Sequence, residues 1–202
     1  GVAAQICARV GGDPGYTALA GPLALTDSRR PVRYAVLETE GWKRASEEAR
    51  DAFARQLKRL ADRGIEIVPA RSEPRLNDFE DAVADASAIS AELLAWEHRW
   101  PQAGYARRQP ALLSEAIRRR VAGSAAMTLD DYRGALGRRQ AIRARFEDLV
   151  QDFDGFVTLA ATGAAPRGLK STGDTAMNVP ASLLGVPAVS LPMLRDDGLP
   201  LG

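Results

Sequence analysis

The sequence has one cysteine, one histidine and only three lysines, and each scarcity excludes a class of site. The single cysteine, Cys7, excludes an intrachain disulfide and any metal site built from several thiolates. Its Ala/Ile/Val surroundings favour a small core residue over a nucleophile. The lone histidine, His98, has no partners at metal-ligand spacing, so neither a metal nor a cofactor is predicted. No apolar run is long enough to cross a bilayer, so no membrane partner is predicted.

Net charge is also nearly absent, at +1 for 202 residues. The one basic run, Arg118-Arg119-Arg120, has no aromatic residues between its members, which favours a solvated helix face over nucleic-acid contact. A hydrophobic content of 46% is enough for one substantial core. The composition therefore predicts a single domain that binds no nucleic acid, and the expected location is the cytoplasm.

A β-α-β unit is predicted in the first half of the chain. Residues 32–37 and 65–68 have the alternation of strands, and Ser46 is a capping residue for the helix between them. The two strands are expected to be parallel. The loop after the first strand has neither a Gly-x-Gly-x-x-Gly pattern nor a phosphate-binding lysine, so the unit is predicted to be scaffold.

Helices are predicted next. Residues 77–100 form an amphipathic pattern that opens with Asn77 and Glu80 as a capping box and ends at Trp100-Pro101. A short helix is expected over residues 112–121, broken at Gly123-Ser124.

The last third carries the most specific pattern. Thr128 and Asp131 are spaced as a capping pair for a long helix. The aromatic-Asp pair Phe153-Asp154 then precedes an apolar strand, a Gly/Ala-rich loop, a brief Asn/Pro helix and a second strand over residues 186–192. This order is typical of α/β enzymes, which present loops at strand ends.

These motifs resemble the amidase signature family. The long helix has that family's pattern of Tyr132, Ala135, Arg139, Ile142 and Phe146, and the final predicted strand has its Gly-x-Pro-Ala-x-Ser-x-Pro motif. The resemblance implies an α/β fold with a mixed β-sheet flanked by helices. It also implies that residues 1–202 are the C-terminal portion of a single amidase signature domain, truncated at both ends.

The resemblance implies amide (C–N) hydrolysis by a serine nucleophile, assisted by a second serine and a lysine. The Gly/Ser-rich stretch that carries those serines does not occur here, and Lys43, Lys58 and Lys170 do not match the catalytic lysine. No catalytic residue is therefore assigned, and the segment alone is expected to be inactive. The full-length protein would be an amidase for linear small-molecule amides, able to form a homo-oligomer, with these residues as scaffold and substrate-side wall. The alternative is a non-catalytic binding module derived from the same fold.

Substrate contacts are implied for one arginine and one loop. In the glutamine-directed branch of the family, an arginine at the position of Arg139 holds the substrate carboxylate. A packing role with its head bonded to backbone carbonyls is the alternative. Thr175 stands where that branch has an aspartate, which disfavours a free α-amino acid substrate. The loop residues assigned to the substrate side are Thr162, Gly163, Thr172, Gly173 and Thr175, with an ordinary flexible loop as the alternative. His98 is a weaker candidate, for shaping the substrate funnel.

Overall fold

The computed structural model describes residues 27–202, and every helix and strand that it describes lies in one unit, Pro31–Gly202. The predictions made for Cys7 and its surroundings lie outside the described residues.

A parallel β-α-β unit forms, as the sequence predicts. Strands β1 (Arg33–Val36) and β2 (Glu66–Pro69) pair in parallel, and helix α1 (Glu47–Ala61) connects them. The Ser46 hydroxyl accepts a hydrogen bond from the Ala49 N–H at 3.0 Å, which satisfies one of the free donors at the start of α1. The predicted cap is therefore confirmed.

Two further strand pairings complete the β-structure of the described residues. Strand β3 (Gly155–Val157) lies beside β1 in parallel, so the sheet order is β2-β1-β3. Strands β4 (Leu194–Asp196) and β5 (Leu199–Leu201) form a separate antiparallel hairpin. The expected α/β class is confirmed.

Between β2 and β3 the chain forms α2 (Pro74–Ala82), α3 (Ala86–Arg108), α4 (Glu115–Ala125) and α5 (Leu129–Leu149). The prediction of one helix over residues 77–100 is wrong at both ends and in the middle. Helix α2 begins at Pro74 because proline is well tolerated at the first helical position, and a turn over residues 83–85 separates α2 from α3. Glu80 does not cap a helix; its side chain accepts the Thr39 N–H at 3.1 Å.

Two helices continue through residues that were expected to end them. Helix α3 continues through Pro101, which removes one backbone donor but leaves the later turns intact. Helix α4 continues through Gly123 and Ser124. The Ser124 hydroxyl donates to the Val121 carbonyl at 2.9 Å, so its polar group is satisfied within the helix.

Helix α5 begins with the predicted capping box. The Thr128 hydroxyl accepts the Asp131 N–H at 3.2 Å, and the Asp131 carboxylate accepts the Thr128 N–H at 2.8 Å. The hydrogen bond from the Thr128 backbone is the main cause that lowers the pKa of Asp131 below its ordinary value. The backbone donors at the start of α5 are thus satisfied in part by a local capping box.

The three-stranded sheet separates two apolar clusters, because successive side chains along a strand point to opposite faces. Ala35 and Leu37 belong to the first cluster, which includes buried residues of α2, α3, α5 and the brief helix α6 (Val179–Leu184). Val36 belongs to the second, which includes buried residues of α1, β4 and β5. Both faces of this sheet are therefore covered by other elements.

The end of the chain departs from the predicted strand over residues 186–192. Helix α6 ends at Gly185, which has a φ of 74°, and no strand forms between Gly185 and Leu194. Pro187 and Pro192 have no N–H to donate to a neighbouring strand, which explains why this stretch does not join a ladder. The prediction of a strand over residues 186–192 is therefore wrong, and the first strand after α6 is β4.

Candidate functional site

The candidate site is the loop over residues 158–178, which joins β3 to α6. It leaves the sheet at the carboxyl end of β3, and pairing continues there through a hydrogen bond of 3.0 Å from Leu37 N–H to the Val157 carbonyl. Because β1 and β3 are parallel, the segments that follow both strands emerge at the same edge. In open α/β sheets this edge is the usual position of a ligand crevice.

The first part of the loop is fixed by a buried carboxylate, Asp196, which is only 5% exposed. Asp196 accepts hydrogen bonds from the Ser46 hydroxyl at 2.8 Å and from the Ala164 N–H at 2.5 Å. The Ser46 N–H in turn donates to the Thr162 carbonyl at 2.8 Å. We call this group, made of Ser46, Asp196 and residues 162–164, the first anchor.

Gly163 has a packing reason to be glycine. A Cβ atom at this position would lie 2.8 Å from Oδ2 of Asp196 and 3.4 Å from the Ser46 hydroxyl. Thr162 and Gly163 thus both lie in the first anchor, where the hydrogen bonds are made by the Thr162 carbonyl and the Ala164 N–H. A substrate contact by either residue stays a prediction.

The last part of the loop is fixed by an ion pair, and we call this group the second anchor. Arg44 donates from Nε to Oδ2 of Asp174 at 2.6 Å, and Oδ1 of Asp174 accepts the Ala176 N–H at 2.9 Å. The hydrogen bond from Arg44 is the main cause that lowers the pKa of Asp174. Met177, which follows Ala176, is buried against Gly41. A Cβ added to Gly41 would lie 2.8 Å from the methionine sulfur.

Residues 165–175, which run from the end of the first anchor into the second, are exposed. Thr172, Gly173 and Thr175 all lie on the surface, and Gly173 has a φ of 102°, which an L side chain rarely adopts. The two threonine hydroxyls make no hydrogen bond within residues 27–202. Leu169, in the middle of the exposed part, is fully solvated. The structure therefore leaves three of the predicted substrate-side residues accessible on a loop that is held at both ends.

Arg139 lies on α5 and is half-buried. Within the described part of the chain its guanidinium makes no hydrogen bond or ion pair. The carbonyl-bonding role considered for Arg139 belongs to Arg143, one turn later, whose Nε donates to the Leu184 carbonyl at 2.8 Å. Among residues 27–202, Arg139 thus has no partner for its donor group, and its contact with a substrate stays a prediction.

His98 lies on α3, in sequence between Trp96 and Arg99, which form an aromatic and cationic cluster with Tyr132 of α5. Trp96 stacks on Tyr132 with ring centroids 5.3 Å apart, and Arg99 lies over the Trp96 ring at 3.8 Å. The buried Nδ1 of His98 has no hydrogen-bond partner among the described residues. Across residues 27–202 no three His, Cys, Asp or Glu side chains are grouped as metal ligands, and no helix there is long and apolar enough to cross a bilayer.

Sequence reasoning missed the polar side chains that fix the loop. Ser46 was identifiable as a helix cap but not as a partner of Asp196, and Arg44 and Asp174 had no recognised role. The Asp197-Gly198 dipeptide after Asp196 is a hairpin signal that could have indicated β4 and β5.

Comparison with known proteins identifies the family. The Amidase family model matches residues 22–202. The glutamyl-tRNA(Gln) amidotransferase subunit of Clostridium botulinum (strain Eklund 17B / Type B) is 37% identical over 78 residues, a match that covers 35% of this chain and 16% of that protein. Its counterpart from Clostridium kluyveri (strain NBRC 12016) is 36% identical over 106 residues, covering 47% of this chain and 22% of that protein.

Solved structures show the same fold. A crystal structure of an amidase superposes with a TM-score of 0.69 at 22% identity, covering 87% of this chain and 41% of that one. A second structure is described as an unexpected vestigial protein complex that reveals the evolutionary origins of an s-triazine catabolic enzyme. It superposes with a TM-score of 0.62 at 21% identity, covering 85% of this chain and 38% of that one. The chain thus spans less than half the length of each of these proteins. Because the family model matches most of its residues, the chain belongs to the amidase family, the family that its sequence motifs resemble.

Proposed function

We propose that this chain forms scaffold and substrate-side wall of an enzyme that hydrolyses the C–N bond of small-molecule amides. The observation that carries the proposal is the exposed group Thr172, Gly173 and Thr175, on a loop anchored at both ends beside the carboxyl edge of parallel strands. Small and hydroxyl side chains at such an edge allow a substrate to approach the backbone closely. Membership of the amidase family supports amide hydrolysis as the reaction class.

The proposed mechanism uses a serine nucleophile that attacks the amide carbonyl, releases the amine and leaves an acyl-enzyme for water to hydrolyse. We assign none of these steps to residues 1–202. Ser46 donates a hydrogen bond to Asp196 and accepts one from Ala49, so its hydroxyl is committed to the first anchor. Lys58 is exposed and paired with Asp62 at 3.1 Å, which makes it unsuitable as a buried proton acceptor.

Within this proposal, Arg139 binds a carboxylate or carbonyl oxygen of a linear amide substrate. Its guanidinium is half-buried and unpaired within residues 27–202, so it has donors available for a ligand. A charge-assisted contact is worth about 1.5–3 kcal/mol, so Arg139→Ala should lower kcat/KM by about one to two decades. The measurement is steady-state kinetics of ammonia release by the full-length protein, with thermal unfolding on the same preparation.

The matched control is the neighbouring Arg138→Ala. Arg138 forms an exposed ion pair with Glu92, whose loss should leave the kinetics near normal. If Arg139→Ala lowers thermal stability and leaves kcat/KM unchanged, Arg139 is a packing residue and the substrate contact is wrong.

The hydrolysis itself is tested with a simple linear carboxamide such as butyramide. We expect ammonia release by the full-length protein and none by residues 1–202 alone. A panel of linear amides that the full-length protein binds but does not turn over would favour the non-catalytic binding module. The cytoplasmic location and a homo-oligomeric state stay predictions.

A further inference from the structure

The exposed part of the candidate loop is closed at its base. A Cβ atom built on Gly173 would lie 3.6 Å from Cδ of Pro166, so the two ends of the exposed part meet. The first anchor lies before Pro166 and the second anchor follows Gly173 directly. The position of the residues between them therefore depends on both anchors.

The two anchors differ in how strongly they are held. Asp196 of the first is buried and has two short hydrogen bonds. The ion pair of the second is half-exposed, with side-chain exposures of 48% for Arg44 and 32% for Asp174. Exposed pairs contribute little to global stability because water competes for both charges. The second anchor is thus the one that can open while the fold stays intact.

Both oxygens of the Asp174 carboxylate accept hydrogen bonds from the protein. Oδ2 accepts from Arg44 Nε at 2.6 Å, while Oδ1 accepts from Ala176 N at 2.9 Å and faces Arg44 Nη2 at 3.4 Å. Arg44 also lies 3.5 Å from Glu40, in the 3₁₀ turn Glu40–Arg44 that follows β1. Asp174 therefore ties the loop after β3 to the segment after β1, across the edge where the substrate is proposed to bind.

We propose that Arg44 and Asp174 are positioning residues, whose ion pair holds Thr172, Gly173 and Thr175 in the substrate-binding arrangement. The inference rests on the proposed function. Thr175 is covalently next to Asp174, so movement of the carboxylate moves the threonine with it. When the pair is broken, the loop samples open positions in which its hydroxyl groups no longer face the substrate.

The test uses Arg44→Gln and Asp174→Asn in the full-length protein, with two measurements on each. An exposed ion pair of this kind is worth a factor of up to about five in an equilibrium. We expect KM for the amide to rise about three- to five-fold with kcat nearly unchanged. Trypsin cleavage after Arg167 and Lys170, followed by mass spectrometry, should accelerate by the same factor, because cleavage tracks the population of the open loop.

Two controls separate this role from a general loss of stability. Arg145→Gln breaks a similarly exposed pair, with Asp78 at 2.8 Å, that joins α5 to α2 away from the loop, and should change neither measurement. The double variant Arg44→Gln/Asp174→Asn should have the same KM and the same cleavage rate as either single variant, because each single change already removes the same ion pair.

The outcomes are distinguishable. Unchanged cleavage of the loop in both variants would show that the pair does not hold it, and would overturn the inference. Faster cleavage with an unchanged KM would show that the loop is held but does not position substrate, which also overturns it. A wild-type protein without amide hydrolysis would contradict the proposed function, while the cleavage rates would still decide whether Arg44 and Asp174 hold the loop.

Discussion

Replacement of Gly163 by alanine tests the first anchor most directly. The added methyl group would lie 2.8 Å from Oδ2 of Asp196, a carboxylate oxygen that also accepts the Ala164 N–H at 2.5 Å. Gly163 does not have a positive φ, so its backbone can accommodate alanine and the collision is the whole effect. The carboxylate can relieve the collision only by turning away from Ala164.

The magnitude follows from the contact that is lost. A hydrogen bond to a charged group contributes about 1.5–3 kcal/mol, so Gly163→Ala should lower the free energy of unfolding by that amount. The assay is urea denaturation of the purified protein at neutral pH. Gly137→Ala is the matched control, because a Cβ at this α5 position meets no atom within 4 Å. There, alanine should stabilise by about 0.5–1 kcal/mol.

A double variant gives the decisive comparison. In an Asp196→Ala background the methyl group at position 163 has no carboxylate to meet, so Gly163→Ala should cost almost nothing further. An equal loss of stability in both backgrounds would refute the reasoning. So would a wild-type-like stability of Gly163→Ala, because the carboxylate would then have room to move.

Further predictions concern the ends of two helices. Thr128→Ala removes the cap of α5 and should cost about 1 kcal/mol in urea denaturation, and an unchanged midpoint would contradict the proposed cap. The folded-state pKa of Asp131 is lowered, so its stabilising contribution is present above the ordinary aspartate pKa and is lost as pH falls through the lowered value. Asp131→Asn should therefore lower the free energy of unfolding near pH 7. The difference in this free energy between the variant and wild type should become smaller in strong acid, and a difference independent of pH would contradict the prediction. Arg143→Met keeps the aliphatic stem but removes the donor to the Leu184 carbonyl, and should cost about 1–3 kcal/mol, detectable as faster amide exchange in α6.

Local signals in the sequence predicted local structure well. The caps at Ser46 and Thr128 could be recognised because both partners lie within three residues of each other. The parallel pairing of β1 and β2 followed from the handedness of a β-α-β crossover. The turn between α2 and α3 was missed because an unbroken apolar periodicity concealed it, and residues on both sides of the turn pack in one cluster.

Contacts between distant residues could not be predicted from one sequence. Ser46 and Asp196 are 150 positions apart, and Arg44 and Asp174 are 130 apart. Exposed arginines and aspartates are common, and nothing in the surrounding residues distinguishes a pair that fixes a loop from one that is solvated. The resemblance to the family indicated the loop as a candidate site, whereas the side chains that hold it became visible only in three dimensions.

The exposed turn between β4 and β5 should not tolerate a change in its length. Asp197 and Gly198 have φ angles of 47° and 72°, as in the two-residue turns that match the twist of a β-hairpin. Because side chains alternate along a strand, one inserted or deleted residue here would shift β4 against β5 by one position. Either Asp196 would turn toward solvent and leave the Ala164 N–H, 32 positions earlier, without its acceptor, or the buried Leu201 would turn outward. Exposed turns usually accept insertions. In a library of single-residue insertions and deletions, this turn should instead be depleted as strongly as a core strand.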